Sequence, residues 1–279
     1  MKKIESHQCH GGELQVWEHV STSLSCDMRF SIFLPPQVAN GARSAVTFLS
    51  GLTCTHDNFT TKAGAYGVAA ELGLIIIAPD TSPRGDDVPD DESSYDFGKG
   101  AGFYINATQY PWAKNFKMET YIVEELRSLI TDNFPVDVER QAIMGHSMGG
   151  HGALTLFFKY PDLYQSVSAF SPIVAPSQLS WGQKAFKGYL GDDEMEWREH
   201  DACELVANSQ KKNVEILIDQ GLGDNFLEEQ LKPELFKNAC AQVEQKLNLR
   251  LQDGYNHSYF FIQSFIGDHL RHHAQNILK

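Results

Sequence analysis

The sequence predicts a single α/β domain over residues 1–279. Its expected frame is a mostly parallel sheet of about eight strands, with antiparallel strands at the N-terminal side and helices on both faces. Three observations predict this. Early apolar residues alternate with polar ones, later apolar runs are continuous, and stretches of helical spacing separate those later runs.

Residues 13–20 and 29–34 alternate as half-exposed antiparallel strands do, the second ending at Pro35-Pro36. Residues 45–49, 74–78, 141–144 and 214–218 are apolar throughout, as strands covered on both faces of a parallel sheet are. Residues 167–170 and 249–251 are weaker candidates. Residues 119–130 place Tyr121, Ile122, Leu126, Leu129 and Ile130 at near-helical spacing. Residues 227–247 do the same with Leu231, Leu235, Phe236, Ala239 and Val243. Pro233 falls inside that second pattern, so a helix begins or restarts there.

Composition narrows the function. With 42% hydrophobic and 21% charged residues, the chain can bury a sizeable core and is not disordered as a whole. Its 23 Lys and Arg against 36 Asp and Glu give a net charge of −13, which disfavours nucleic-acid and anionic-membrane surfaces. The five cysteines are odd in number and widely spaced, without C-x-x-C, which argues against a disulfide framework or a structural zinc. The N-terminus lacks an apolar signal core, and the apolar run 74–78 is too short to span a bilayer. A cytoplasmic protein is the expectation.

The sharpest motif is Gly145-His146-Ser147-Met148-Gly149, a G-x-S-x-G sequence. Alone it is weak. Here a strand candidate precedes it and a small-residue helical run follows from Gly150, and a nucleophile elbow needs that order. The turn forces the serine into a strained conformation, and the flanking glycines leave room for strand and helix to approach. A serine hydroxyl needs a base to take its proton, and the partners should follow as acid, then histidine. Asp224 is chosen as the acid because it lies in the loop beyond strand 214–218; Asp219, at the strand end, is the fallback. His257 is the base, being the only histidine between Asp224 and the C-terminal helix.

His146 and His151 are expected to pack or hydrogen-bond rather than act as the base. His269, His272 and His273 have a spacing that could suit a metal, but no acidic or cysteine partner is apparent nearby, so a solvated helix face is preferred. The oxyanion hole needs one backbone N–H from Met148 and another from the loop after strand 45–49. Leu52 is chosen for the second; Gly51 and Thr53 remain open. Cys54 in the same loop is read as a near-site thiol. A Cys54/His56 nucleophile–base pair is the less favoured alternative.

Several ordered segments carry a resemblance: Ser50-Gly51-Leu52-Thr53-Cys54-Thr55, Ala78-Pro79-Asp80-Thr81-Ser82-Pro83-Arg84-Gly85, Gly102-Phe103-Tyr104-Ile105-Asn106-Ala107-Thr108, the motif around Ser147, and Trp181-Gly182-Gln183-Lys184-Ala185-Phe186. The aspartate and histidine segments match as well. Together they resemble S-formylglutathione hydrolases, the esterase D family, over nearly the whole chain. The resemblance implies an α/β-hydrolase fold and hydrolysis of S-formylglutathione to glutathione and formate, in formaldehyde detoxification. It implies Ser147, Asp224 and His257 as nucleophile, acid and base, and Leu52 and Met148 as oxyanion donors. No cofactor or metal is required, and a homodimer is the assembly suggested by analogy. Trp181 and Trp112 are candidate walls for the glutathione moiety, and Lys62, Arg84, Lys99 and Lys184 candidate cations for its carboxylates. The alternatives are a broad-specificity carboxylesterase or acyltransferase of the same fold, a non-catalytic binding module, and, more weakly, a peptidase.

Overall fold

The computed structural model describes residues 1–278. Nine strands form one sheet: β1 Lys2–Cys9, β2 Gly12–Ser21, β3 Cys26–Leu34, β4 Arg43–Leu49, β5 Ile75–Pro79, β6 Val136–His146, β7 Ser166–Phe170, β8 Ile216–Gly221 and β9 Leu247–Gln252. Their spatial order is β1-β2-β3-β5-β4-β6-β7-β8-β9. Pairings from β1 to β3, and of β3 with β5, are antiparallel; all the rest are parallel. This is the mostly parallel sheet with antiparallel N-terminal strands that the alternating and continuous apolar runs predict, and it has the α/β-hydrolase arrangement that the resemblance implies.

The helices are α1 His56–Lys62, α2 Tyr66–Leu72, α3 Met118–Thr120, α4 Arg127–Asn133, α5 Met148–Lys159, α6 Ser180–Leu190, α7 Glu194–Arg198, α8 Ala202–Leu205, α9 Pro233–Gln242 and α10 Tyr259–Ile277. Successive strand residues point to opposite faces, and both faces are apolar in the interior strands. Val46, Phe48, Ile76, Ala142, Met144 and Phe170 bury against α1, α2 and α10. Ala45, Leu49, Ile75, Ile77, Ile143, Val167 and Ala169 bury on the opposite side, with α5, α6 and α9.

The sheet agrees with the expectation of about eight strands and has nine. The extra one, β1, is an exposed polar edge strand held by its ladder to β2, so it leaves no apolar pattern. A helix restarts at Pro233 as expected: Leu227–Leu231 is a π-helical turn, Lys232 takes a left-handed φ of 39°, and α9 starts at Pro233. Similarly, α3 and α4 are bridged by π-helical Tyr121–Leu126, so the stripe of residues 119–130 is continuous but not uniformly α.

The C-terminal histidines need a correction. His269 and His273 are fully buried, not solvated. The Ser168 hydroxyl lies 2.8 Å from both His269 Nδ1 and His273 Nε2, and His273 Nδ1 lies 2.9 Å from Ser166 Oγ. An acid is present after all: Asp219 Oδ2 lies 3.1 Å from His269 Nε2. It comes from β8, far away in sequence, which is why local spacing gives no hint of it. Burial keeps these rings neutral: His273 is held well below its ordinary value, and His272 falls to about 4. His151 and His200 are pushed down to about 3, chiefly by burial.

A histidine held neutral in the fold but free to protonate when unfolded costs stability in acid. Between the ordinary value near 6.5 and the depressed values of about 3 to 4, the unfolded chain binds more protons, so stability falls as pH falls. The expected outcome is a melting temperature that drops by more than about 5 °C between pH 7 and pH 4.5, measured by calorimetry at fixed ionic strength. A flat profile over that window would mean that the rings already carry protons in the fold.

Candidate active site

The site lies at the carboxyl ends of the central parallel strands. β6 ends at His146, and Ser147 turns the chain into α5 with φ 57° and ψ −118°, a conformation that L-residues seldom adopt. The turn is possible because the residues two before and two after Ser147 lack side chains. A Cβ on Gly145 would lie 2.0 Å from the Gly149 carbonyl oxygen, and one on Gly149 would lie 1.9 Å from that of Leu49. The Ser147 N–H donates to Phe170 O on β7 at 2.9 Å, tying the elbow to the sheet.

Asp224 and His257 meet here, as the spacing predicts. His257 Nδ1 lies 2.5 Å from Asp224 Oδ2, and Asp224 Oδ1 accepts the Phe226 N–H at 2.9 Å. Burial alone would raise the Asp224 carboxyl, but the His257 hydrogen bond and charge and the Phe226 N–H outweigh it and hold the group below its usual range. It therefore stays ionised beside the imidazole. The fallback acid, Asp219, is engaged elsewhere. Arg250 Nε and Nη2 reach its two oxygens, Gln252 donates at 2.9 Å, and His269 completes the set. Despite full burial, these partners pull its carboxyl down to about 2.

Ser147 and His257 line one cleft of about 190 Å³ together with Gly51, Leu52, Thr53, Cys54, Tyr95, His146, Trp181 and Phe226. Larger surface hollows of about 620 and 680 Å³ lie elsewhere; the first has no histidine in its lining, and in the second His19 Nε2 is paired with the Tyr121 hydroxyl, so chemistry and not size selects the site. Two sources of candidate oxyanion donors border the cleft. Met148 opens α5, whose first-turn N–H groups have no intrahelical acceptor. In the loop after β4, the Thr53 N–H is spent on Gly100 O at 2.9 Å and that of Cys54 on Gly51 O at 3.3 Å. Thr53 is thereby removed from the candidates. Leu52 and Gly51 keep N–H groups with no backbone acceptor among the described residues.

The remaining candidates divide. Trp181 lines the cleft, edge-on to Tyr95 at 6.2 Å and 4.7 Å from the Phe226 ring. Trp112 does not: it packs among Phe97, Phe116 and Tyr189 in the core. Lys184 Nζ is paired with Asp96 Oδ1 at 2.6 Å and reaches Ser94, so it ties down the segment carrying Tyr95. Arg84 pairs with Asp80 at 3.0 Å and donates to Cys54 O at 3.0 Å. Lys99 lies 4.0 Å from Asp90. Lys62 has no carboxylate partner among the described residues, and its ammonium sits 6.0 Å above the Tyr259 ring. Burial raises the Cys54 thiol, which disfavours the thiolate a nucleophile requires, and no hydrogen bond joins it to His56 among the described residues. Tyr95 and Phe226 were missed from the sequence. Phe226 could have been found, two residues beyond Asp224, where its ring now stands edge-on to His257 at 5.0 Å. Among the described residues, no three His, Cys, Asp or Glu side chains converge as metal ligands.

Known proteins resemble this chain over nearly its whole length. Residues 21–272 match the Esterase family model, described as "Putative esterase". The chain is 52% identical to an S-formylglutathione hydrolase of Mus musculus over 276 residues, 99% of this chain and 98% of the relative. The chain belongs to the S-formylglutathione hydrolase family of esterases. A Bos taurus member is 49% identical over the same span. The solved structure of an S-formylglutathione hydrolase from Agrobacterium tumefaciens superposes with a TM-score of 0.97 at 46% identity, covering 99% of this chain and 100% of that one. A ferulic acid esterase, 18% identical with a TM-score of 0.74, shares the fold.

The two aspartates give a discriminating test. Asp224→Asn should lower ester turnover by about 10²- to 10⁴-fold with little change in melting temperature, because the imidazole loses its orienting charge. Asp219→Asn should lower the melting temperature clearly while the folded enzyme keeps kcat within about threefold, since it leaves Arg250 and His269 short of a partner. Kinetics and thermal melts of both variants check the assignment; the reverse pattern would exchange their roles.

Proposed function

We propose that this esterase hydrolyses S-formylglutathione to glutathione and formate, with Ser147 as nucleophile, His257 as base and Asp224 as its orienting acid. The observation that carries the reading is the full-length likeness to proteins bearing that name. The cleft supports it: about 190 Å³, walled by aromatic rings, suits a formyl group and a thiol sulfur better than a long acyl chain.

The chemistry runs in two halves. His257 takes the Ser147 proton as Oγ attacks the formyl carbon, and Asp224 stabilises the resulting imidazolium. The N–H groups of Leu52 and Met148 hold the tetrahedral oxyanion. The C–S bond breaks, and the thiolate leaves with the proton carried on His257. A water then gives its proton to His257 and attacks the formyl-serine, releasing formate and restoring the serine. A cysteine thiol has a pKa of about 8.5, so the leaving group needs less protonation than an alkoxide would. Positioning and oxyanion binding therefore carry more of the rate. The reading places the enzyme in a reducing cytoplasm, where glutathione is held and where five free cysteines are stable. By family analogy it assembles as a homodimer.

Ser147→Ala should abolish hydrolysis of both S-formylglutathione and aryl acetates. In the wild type, kcat/KM for S-formylglutathione should exceed that for an aryl acetate by at least about 100-fold. Near-equal values would favour the broad carboxylesterase. Retained turnover in the alanine variant would remove Ser147 as the nucleophile.

Lys62 is the cation left to meet a glutathione carboxylate. Lys62→Glu should raise KM for S-formylglutathione by about tenfold and leave that for a neutral ester unchanged. A parallel rise for both substrates would remove it from the binding site.

A further inference from the structure

His146 fills the variable position before Ser147, and neither half-reaction uses it. Its side chain is 5% exposed, and neither ring nitrogen has a hydrogen-bond partner among the described residues. A buried imidazole with both nitrogens unpaired destabilises a fold, and an apolar side chain would fill the space at less cost. Its surroundings point to a role. The ring centroid stands 4.4 Å from that of His257 at an interplanar angle of 43°, and 6.0 Å from Tyr259. On another side, a Cβ on Gly51 would come within 3.3 Å of Nδ1, so the oxyanion loop closes against the ring.

We propose that His146 is a positioning residue for hydrolysis: its uncharged ring backs the His257 imidazole and sets an unpaired polar ring beside the imidazolium that forms when Ser147 gives up its proton. This deepens the proposed function and rests on the triad reading. Burial, and next the charge of His257, hold His146 well below its ordinary value, so it takes no proton itself. The proton still passes only from Ser147 to His257 and on to the leaving sulfur. The other titratable groups around the pair are few. Asp224 holds the far nitrogen of His257, Cys54 and Tyr95 line the same cleft, and Lys62 lies beyond Tyr259. Phe170, paired with His146 across β6 and β7, stands between it and the Asp219–His269 pair.

A ring that stabilises an adjacent imidazolium raises the apparent pKa of the base. His146→Phe keeps a ring of similar shape and removes the nitrogens. It should lower kcat for S-formylglutathione about 5- to 30-fold with KM within about twofold, and move the acid limb of kcat/KM down by about half a pH unit or more. His146→Gln, which restores polar atoms, should return the limb to within about 0.2 unit of wild type. A His146→Phe enzyme with kcat within about twofold and an unmoved limb overturns the proposal, as does a fall in kcat with an unmoved limb, which marks a packing role alone. Should His146→Phe not fold, imidazole ¹⁵N NMR of the wild type decides. His146 must stay neutral while His257 titrates; joint titration overturns the proposal. The Ser147→Ala control separates the two failures. If that variant is active, the triad reading falls; if it is inactive while His146→Phe behaves as wild type, only the role of His146 does.

Discussion

The close approach of β6, β4 and α5 at the elbow is the constraint on which the site depends. Ser147 can hold φ 57° and ψ −118° only while the chain on either side passes within backbone distance of its neighbours, and Gly145 and Gly149 alone allow that. Such a backbone conformation costs on the order of 1–3 kcal/mol. It persists because the strand before it is buried from Gln141 to His146 and the helix after it from Met148 to Phe157. The strain lifts the hydroxyl off the sheet and directs the first N–H groups of α5 into the same cleft. Nucleophile position and the α5 donor proposed for the oxyanion thus follow from one turn.

β8 extends the same logic. Two aspartates five residues apart meet opposite surroundings. Asp219, still within the strand, faces Arg250 on β9 and His269 on α10 and is sealed. Asp224, past the strand end, reaches over to His257 at the cleft. Ser168, His269 and Asp219 form a serine–histidine–aspartate string of their own, yet all three are inaccessible to substrate. Residue types and hydrogen bonds do not make a catalytic site without an open face. The buried string instead fastens α10 to β7 and β8, and α10 begins two residues after His257.

Local patterns carried most of this into the sequence. The interior strands were legible because both faces are apolar, and the elbow because its glycines are sterically required. Asp224 and His257 were legible because each closes a loop beyond a recognisable strand. Edge strand β1 was not, since an edge is held by backbone pairing, which leaves no side-chain pattern. The buried histidines of α10 were misread because their partners, Ser166, Ser168 and Asp219, come from strands about 50 to 107 residues away in the chain. Lys184 was read as a substrate contact because its charge is visible in the sequence and its pairing with Asp96 is not.

The central claim is that one serine, one imidazole and two backbone N–H groups converge on a single point. The most direct measurement is a crystal structure of the enzyme after inactivation by a small alkyl fluorophosphonate, which mimics the tetrahedral state. The account predicts phosphorus bonded to Ser147 Oγ, its oxygen at about 2.7–3.1 Å from the N–H groups of Leu52 and Met148, and His257 Nε2 at Oγ. Phosphorus on Cys54 or any other side chain, or an oxygen turned to solvent away from those two donors, would contradict it.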